Sequence, residues 1–312
     1  MNPVGAGAVV GAALVAHVPT MVLPQAVRFE LNEGREISLV PGLHRMKTER
    51  LDPLSFDTIV VFDAHWFTTV EFVVAAHQRR AGLYTSEELP RGMSQMPYDI
   101  HGDPELARLM ADEVTAAGSW MTAIDDPYLP IHYPTTNLLP FLQGDERWVS
   151  VSLAQTAETD DFLLAGEAIG RAIERSGRRV VLLASGGMSH TFWKLKDLRA
   201  HEPSDPSHVR TPEARAADVQ RLAWFESGEH ARVIDTMPEY LRYRPEGMFG
   251  HYLMMIGALG GRECTAPGTR YGEYENAIGT GQAHIWFDPP PPIRVLERDR
   301  VSDAGTSRQP AL

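Results

Sequence analysis

The stretch IVVFDAH, from Ile59 to His65, is a short apolar run that ends on a histidine, and it has two counterparts in the chain. They are ALVAH, from Ala13 to His17, and VVLLASGGMSH, from Val180 to His190. Short runs rich in β-branched residues are typical of buried strands, and the carboxyl ends of strands in an α/β sheet meet at one crevice where ligands bind. The three stretches predict three imidazoles at that crevice, which suggests a metal site.

Composition and charge narrow the class of partner. The chain has 312 residues, of which 43% are hydrophobic, enough to bury one substantial core. It carries 29 basic and 41 acidic side chains, a net charge of −12. Since no dense basic stripe or membrane-length apolar run is present, we expect a small-molecule substrate, no nucleic acid and no membrane. The single cysteine, Cys264, excludes an intramolecular disulfide framework and fits a cytoplasmic location.

Strand-like and helix-like segments alternate along the chain. Apolar or alternating runs bounded by breakers predict strands at Ala8–Ala16, Thr58–Phe62, Trp148–Leu153, Val180–Ala184 and Ala283–Phe287. Periodicity and end signals predict helices at Pro104–Ala117 with Asp103 as N-cap, Asp160–Ser176 with Thr159 as N-cap, Thr211 to about Phe225, and Phe249–Leu259. The alternation predicts an α/β domain with a central mixed sheet flanked by helices and an active site at the carboxyl ends of the strands.

The chain is predicted to form one catalytic domain over residues 1–288, because neither an internal repeat nor a linker interrupts it. Four consecutive prolines, Pro289–Pro292, open a polar segment, and we expect residues 289–312 to be a disordered tail. Residues 194–210 are charged and lack periodicity, which predicts a surface loop or lid.

His17 and His65 are candidate metal ligands. Either histidine alone would more often be a partly buried core residue, but two at strand ends supply half of a 2-His-1-carboxylate triad, which leaves open positions on Fe(II). Glu246, which directly precedes the predicted buried helix, is the first candidate for the carboxylate, and a residue that merely caps that helix is the alternative. Glu273 and Glu275 remain alternatives, because spacing alone does not choose among the three.

His190 stands in a different context, because two glycines separate it from its strand. A glycine-rich approach lets the backbone and the imidazole come close to a substrate. That suits a general acid/base better than a rigid metal ligand. A loop histidine without function is the alternative.

Taken together, these residues resemble the class III (type II) extradiol catechol dioxygenases, non-haem Fe(II) enzymes that open aromatic rings with O2. The resemblance covers most of residues 8–288 and is strongest with the homoprotocatechuate (3,4-dihydroxyphenylacetate) 2,3-dioxygenase branch. The motifs that carry it are HVP at 17–19, VFDAHW at 61–66, YTSEELP at 84–90, GDPEL at 102–106, ASGGMSH at 184–190, PEG at 245–247 and GTGQ at 279–282.

The resemblance implies a site and an activity. It implies that His17, His65 and Glu246 bind Fe(II), with Mn(II) as an alternative metal, and that His190 is the acid/base. The implied reaction is extradiol cleavage of 3,4-dihydroxyphenylacetate or a related catechol, in which both atoms of O2 enter a ring-opened semialdehyde. Since relatives are usually homo-oligomers, we expect a homo-oligomer here.

One short segment, IHYP at residues 131–134, departs from the homoprotocatechuate branch. Several relatives carry a second catalytic histidine here, next to an acidic residue, whereas the homoprotocatechuate branch reads EYG. In this chain Tyr133 matches the branch, while His132 and Pro134 replace its acidic residue and its glycine. We interpret Tyr133 as a hydrogen-bond partner of a substrate oxygen and His132 as a partner of a substrate carboxylate or carbonyl. A solvent-exposed loop histidine is the alternative for His132.

Three other functions remain open at this level. Aminophenols and hydroxypyridones also present adjacent chelating groups and could replace the catechol. A metal-dependent hydrolase could use the same crevice to activate water, and it would turn over without O2. A non-catalytic homologue is disfavoured by the presence of His17, His65 and His190 together.

Overall fold

The computed structural model describes residues 6–289, so all but the first residue of the predicted tail lies outside the described residues. The strands within this range are β1 Ala8–Val15, β2 Thr58–Thr68, β3 Phe72–Ala75, β4 Arg79–Tyr84, β5 Met96–His101, β6 Met121–Ile124, β7 Arg147–Ala154, β8 Arg179–Ser185, β9 Gly268–Arg270, β10 Glu275–Ala277, β11 Thr280–Gln282 and β12 Ile285–Phe287.

An eight-stranded mixed sheet forms the centre of the fold, in the order β6-β3-β7-β2-β8-β1-β12-β9. Strands β7, β2, β8 and β1 run parallel to one another, whereas β12 pairs antiparallel with β1 and β9 antiparallel with β12. Two small antiparallel pairs, β4-β5 and β10-β11, lie outside this sheet. The prediction of a mixed central sheet is confirmed.

Helices cover both faces of the sheet. Their bounds are α1 Gln25–Leu31, α2 Leu39–Met46, α3 Pro104–Ala116, α4 Tyr133–Thr136, α5 Leu139–Leu142, α6 Thr159–Ser176, α7 Pro212–Ser227, α8 His230–Asp235, α9 Met237–Tyr240 and α10 Gly250–Ala258. Because strand side chains alternate, β2 directs Val60 and Phe62 into the core under α3, α6 and α10, and Ile59 and Val61 into the core under α2 and α5. No helix in the described part of the chain combines the length and apolarity needed to span a membrane.

The predicted segments all occur, with shifted ends in several cases. Helix α10 is buried, as predicted, but begins at Gly250 because Phe249 has a left-handed φ of 63°. The prediction that Thr159 caps α6 is wrong by one residue, since Glu158 is the extended N-cap and forms a capping box with Asp161. Residues 194–210 contain only two 3-10 helices, Leu195–His201 and Pro206–His208, in line with the predicted loop.

Asp103 is the predicted cap of α3 and also anchors the start of β8. Its Oδ1 accepts the Leu106 N–H at 3.2 Å, and its Oδ2 accepts from Arg178 Nε at 2.8 Å. Burial alone would raise the pKa of the Asp103 carboxyl, but the hydrogen bond and charge of Arg178 outweigh it and hold the pKa below its ordinary value. The carboxylate is therefore ionised and paired at neutral pH.

We expect Asp103→Ala to lower the free energy of unfolding by about 2–4 kcal/mol, because it removes a helix cap and leaves Arg178 without its buried partner. A lowered folded-state pKa adds stability that is present above the ordinary pKa of about 3.9 and is lost as pH falls through the lowered value. Asp103→Ala should thus lower the free energy of unfolding by the same amount in urea titrations at about pH 8 and about pH 5. Glu105→Ala is the control, because Glu105 binds the same Arg178 at 2.9 Å from the surface and should cost less than about 1 kcal/mol. A deficit that shrinks by pH 5 would contradict this assignment.

Candidate functional site

His17 lies just beyond the end of β1, beside the end of β8. The two strands pair in parallel up to Val15 and Ser185, and the Gly186 N–H donates to the Val15 carbonyl at 3.0 Å. The Ser185 hydroxyl donates to the Pro134 carbonyl at 2.8 Å, so it accepts from His17 Nδ1, which lies 3.1 Å away. A proton on Nδ1 leaves Nε2 of His17 as the free lone pair, the form that binds a metal.

His65 lies in an irregular part of β2. Pairing with β7 is interrupted between Phe62 and Phe67, and the buried Asp63 Oδ1 accepts the N–H groups of His65 and Trp66, each at 3.0 Å. The aspartate replaces the missing ladder hydrogen bonds and fixes the bulge. The strand therefore continues to Thr68 instead of ending at Phe62, and the bulge directs His65 towards the carboxyl edge of the sheet.

Glu246 is held by the chain segment that leads to His190. Its N–H donates to the Met188 carbonyl at 3.0 Å, and its Oε2 accepts the Gly187 N–H. Three consecutive left-handed residues follow: Gly247, Met248 and Phe249, with φ of 56°, 56° and 63°. Met248 and Phe249 are unusual in this conformation, and such strain concentrates at functional sites. The turn separates Glu246 from the start of α10, so the Gly187 N–H stabilises the carboxylate rather than the helix end.

These three side chains converge on one point. Ligand atoms of His17, His65 and Glu246 all lie within 4.8 Å of one another. Glu246 Oε1 is 3.3 Å from His17 Nε2 and 2.7 Å from His65 Nε2. It is buried and has no hydrogen-bond partner, which is the arrangement expected of an atom that binds a cation. Two imidazole nitrogens and one carboxylate oxygen suit a divalent transition metal.

The two alternative carboxylates lie elsewhere. Glu275 is buried, and its Oε1 accepts the Ser38 N–H at 2.6 Å. Glu273 is exposed. Among the described residues, the group that could hold a metal includes Glu246 and neither alternative.

The electrostatics of the cluster favour a positive charge at its centre. Burial alone would raise the pKa of the Glu246 carboxyl, but the neighbouring imidazoles of His17, His190 and His65 hold it well below its usual value. Burial alone would lower the pKa of His65, but its ion-pair contacts with Glu246 and Glu88 raise that pKa to about 10. A histidine must lose its proton to bind a metal, so the ionised Glu246 beside His65 would favour a metal cation in place of the His65 proton.

His190 lies beside the triad without completing it. Its Nε2 is 3.6 Å from Glu246 Oε1, and its ring contacts Phe192 edge-on with centroids 4.8 Å apart. Burial lowers the pKa of His190, so the imidazole is neutral at neutral pH and can accept a proton. Among the described residues, the group whose ligand atoms all lie within 4.8 Å of one another contains His17, His65 and Glu246 and not His190.

The glycines before His190 allow the close packing of this segment. A Cβ atom on Gly186 would lie 2.5 Å from the ring of the buried His251. One on Gly187 would lie 2.6 Å from Gln282 Nε2. The two glycines are therefore needed for packing against His251 and Gln282, and the close approach to a substrate that the sequence suggests stays a prediction.

Tyr133 is the second predicted catalytic residue that reaches the cluster. Its hydroxyl is 2.6 Å from His65 Nε2 and donates to Glu88 Oε2 at 3.2 Å. Burial raises the pKa of Tyr133, so its hydroxyl keeps its proton at neutral pH. Glu88 was not singled out from the sequence, although it lies within the YTSEELP motif at 84–90.

His132 points away from this cluster. Its ring stacks on Trp66 with centroids 5.9 Å apart, and its Nε2 is buried without a hydrogen-bond partner. It lines a separate small cavity together with Trp66, His77, Trp148 and Ser150. His132 and Tyr133 thus face different spaces, the small cavity and the cluster around Glu246. The role of His132 towards a substrate stays a prediction.

The fold and the candidate site together define an α/β protein with a two-histidine, one-carboxylate centre at the carboxyl edge of a mixed sheet. Residues 11–281 match the family of the catalytic LigB subunit of aromatic ring-opening dioxygenase, and the chain belongs to this family. It is therefore an extradiol ring-cleaving dioxygenase, as the sequence resemblance predicts.

Individual relatives agree with this family. The chain is 32% identical over 253 residues to 3,4-dihydroxyphenylacetate 2,3-dioxygenase from Escherichia coli, which covers 80% of this chain and 89% of that protein. It is 25% identical over 246 residues to the alpha subunit of 2-aminophenol 1,6-dioxygenase from Pseudomonas sp, covering 77% of this chain and 86% of the subunit. The crystal structure of an uncharacterized protein from Escherichia coli K12 shares the fold, with a TM-score of 0.60 at 18% identity over 89% of this chain and 99% of that one.

Proposed function

We propose that this protein cleaves a catechol-type substrate with O2 at an Fe(II) centre bound by His17, His65 and Glu246. The observation that carries the proposal is the buried Oε1 atom of Glu246, which lacks a hydrogen-bond partner and lies 3.3 Å and 2.7 Å from the Nε2 atoms of the two histidines. Such a donor set is typical of non-haem Fe(II) oxygenases, and Mn(II) suits the same ligands. When bound, the metal would supply the coordination sites and the redox chemistry for the catechol and O2.

The surrounding side chains would control the protons. His190 would accept a proton from a substrate hydroxyl at its neutral ring and return it later in the reaction, since burial lowers its pKa. Tyr133 would donate a hydrogen bond to a substrate oxygen, because its raised pKa keeps the hydroxyl protonated. His132 would take part only with a substrate group that extends into the cavity beside Trp66.

The substrate that we propose first is 3,4-dihydroxyphenylacetate or a related catechol. The Escherichia coli relative that is 32% identical acts on this compound by its name. The Pseudomonas relative that is named for 2-aminophenol supports the alternative of an aminophenol, and hydroxypyridones present a similar pair of donors. A metal-dependent hydrolase is the remaining alternative.

A substrate panel tests the proposal. Protein loaded with Fe(II) without oxygen is mixed with 3,4-dihydroxyphenylacetate, catechol, 2-aminophenol or a hydroxypyridone, and then with air. We expect a yellow ring-opened product fastest from 3,4-dihydroxyphenylacetate. Faster turnover of 2-aminophenol would move the assignment to an aminophenol. No coloured product and no O2 uptake across the panel would reject the proposed activity, and ester or amide turnover without O2 would favour the hydrolase.

We also propose that the protein acts in the cytoplasm as a homo-oligomer. The buried, unpaired Cys264 is compatible with a reducing compartment. Relatives that are named as subunits support an assembly of several chains. Light scattering on the purified protein should give a mass that is a multiple of 34.6 kDa, and a monomer at micromolar concentration would contradict the assembly.

A further inference from the structure

Asp218 carries a fully buried carboxyl group on α7 and does not belong to the cluster of His17, His65 and Glu246. It accepts hydrogen bonds from three hydroxyls: Ser189 Oγ at 2.6 Å, Tyr274 at 2.6 Å and Tyr240 at 2.8 Å. The Ser189 N–H also donates to Asp218 Oδ1, at 3.2 Å. Burying a carboxyl group costs free energy unless hydrogen bonds satisfy it, and these donors offset that cost for Asp218.

Its surroundings are fitted to the carboxyl group. A Cβ atom on Gly281 would lie 2.1 Å from Asp218 Oδ2, so a glycine is needed for the close approach of β11. The Arg221 guanidinium, also buried, stacks on the Tyr240 ring at 3.6 Å and adds positive charge nearby. The Asp218 carboxyl group is thus closely packed against β11 and Tyr240.

The link from Asp218 to the active site runs through Ser189, the residue before His190. Ser189 donates two hydrogen bonds to Asp218, one from its hydroxyl to Oδ2 and one from its N–H to Oδ1. Its carbonyl accepts the Gly281 N–H at 2.9 Å, and the His190 N–H reaches the Tyr243 carbonyl at 3.3 Å. Two glycines precede this segment and give it little stiffness of its own, so external contacts must set its conformation.

We propose that Asp218 is a positioning residue that holds Ser189 and thereby places the His190 imidazole beside Glu246. The inference rests on the proposed function in one respect, since it takes His190 as the acid/base. A misplacement of about 1 Å at such a group costs up to about 100-fold in rate, even when the mutated residue does not touch substrate. Asp218 would therefore act on catalysis without contacting the metal or the catechol.

Two hydroxyls at the same carboxyl oxygen provide a matched comparison. Ser189 Oγ and the Tyr274 hydroxyl both lie 2.6 Å from Asp218 Oδ2, but only Ser189 belongs to the His190 segment. Ser189→Ala and Tyr274→Phe each remove one equivalent hydrogen bond. A purely structural role predicts similar effects of the two changes on stability and on rate.

The experiment compares these two variants and Asp218→Asn with the wild type. Hydrogen exchange is measured by mass spectrometry in peptides that cover residues 184–192, and kcat, KM and metal content are measured with the best substrate. We expect Ser189→Ala and Asp218→Asn to speed exchange in this segment and to lower kcat by about 10-fold to 100-fold, with KM and metal content unchanged. Tyr274→Phe should leave exchange in the segment and kcat unchanged.

Unchanged exchange in the segment for both Asp218→Asn and Ser189→Ala would overturn the inference, as would an equal loss of kcat in Tyr274→Phe. If Asp218→Asn fails to fold, the comparison of Ser189→Ala with Tyr274→Phe decides it. A wild type that opens none of the tested rings would reject the proposed function, and the exchange data alone would then decide whether Asp218 fixes the segment.

Discussion

His65→Ala is expected to remove most of the bound metal and to abolish ring cleavage. The change deletes the imidazole whose Nε2 lies 2.7 Å from Glu246 Oε1, and leaves two ligands where three converge. Loss of a residue that only supports a ligand costs about 10-fold to 100-fold in metal affinity, so loss of a ligand should cost more than about 100-fold. Metal analysis after dialysis and an assay with the best catechol measure both effects.

His44→Ala is the matched control for that experiment. His44 is an exposed histidine on α2 that packs edge-on against Phe141. Its removal should leave metal content and rate at the wild-type level. If His65→Ala and the wild type retained the same metal equally well, the assigned site would be wrong.

His190→Gln is expected to keep the metal and to lower kcat by about 100-fold to 10,000-fold. The residue lies 3.6 Å from Glu246 and is proposed to transfer protons, which is a contribution of this size in general acid/base catalysis. His201→Gln is the control, since His201 stacks on Trp193 in the loop beyond the site. A variant that loses its metal together with its activity would instead make His190 a ligand.

The pH dependence gives a second measurement of the same role. Burial lowers the pKa of His190 below the ordinary value of about 6.5, and a nearby cation would lower it further. The neutral, proton-accepting form is then lost only when pH falls through this lowered pKa. Wild-type kcat should stay level from about pH 7 through about pH 6.5 and decline only at lower pH, and His190→Gln should lack this decline.

The central strands were predictable because they are buried on both faces, so their apolar residues form continuous runs. β8 shows this, since Val180 to Ala184 are all buried. The pair β4-β5 was missed because its sequence carries charged, glycine and proline residues and is largely exposed. The pair β10-β11 was missed because its strands are only three residues long and mostly polar, although they are buried. The length of β2 was underestimated because Asp63, a polar residue, replaces the ladder hydrogen bonds and lets the strand continue.

The rule that strand ends meet at one edge was sufficient to bring His17 and His65 together. The choice of Glu246 depended on family resemblance, because the left-handed turn that orients it has no clear sequence signal beyond Gly247. Opposite orientations of His132 and Tyr133 follow from the backbone at the start of α4, which spacing does not specify.

The sequence of α7 contains a periodic pattern that indicates the Asp218 network. Ala214, Asp218, Arg221 and Phe225 follow the spacing of one helix face, and all four are buried. Two charged residues on the core side of a helix require partners.

Oxygen consumption during catechol turnover tests the central claim most directly. Fe(II)-loaded wild type should consume one O2 for each molecule of 3,4-dihydroxyphenylacetate or related catechol and form the yellow product at the same rate. His65→Ala treated in the same way should show neither O2 consumption nor yellow product. Product formation without O2, or equal O2 uptake by His65→Ala, would contradict ring cleavage at the centre formed by His17, His65 and Glu246.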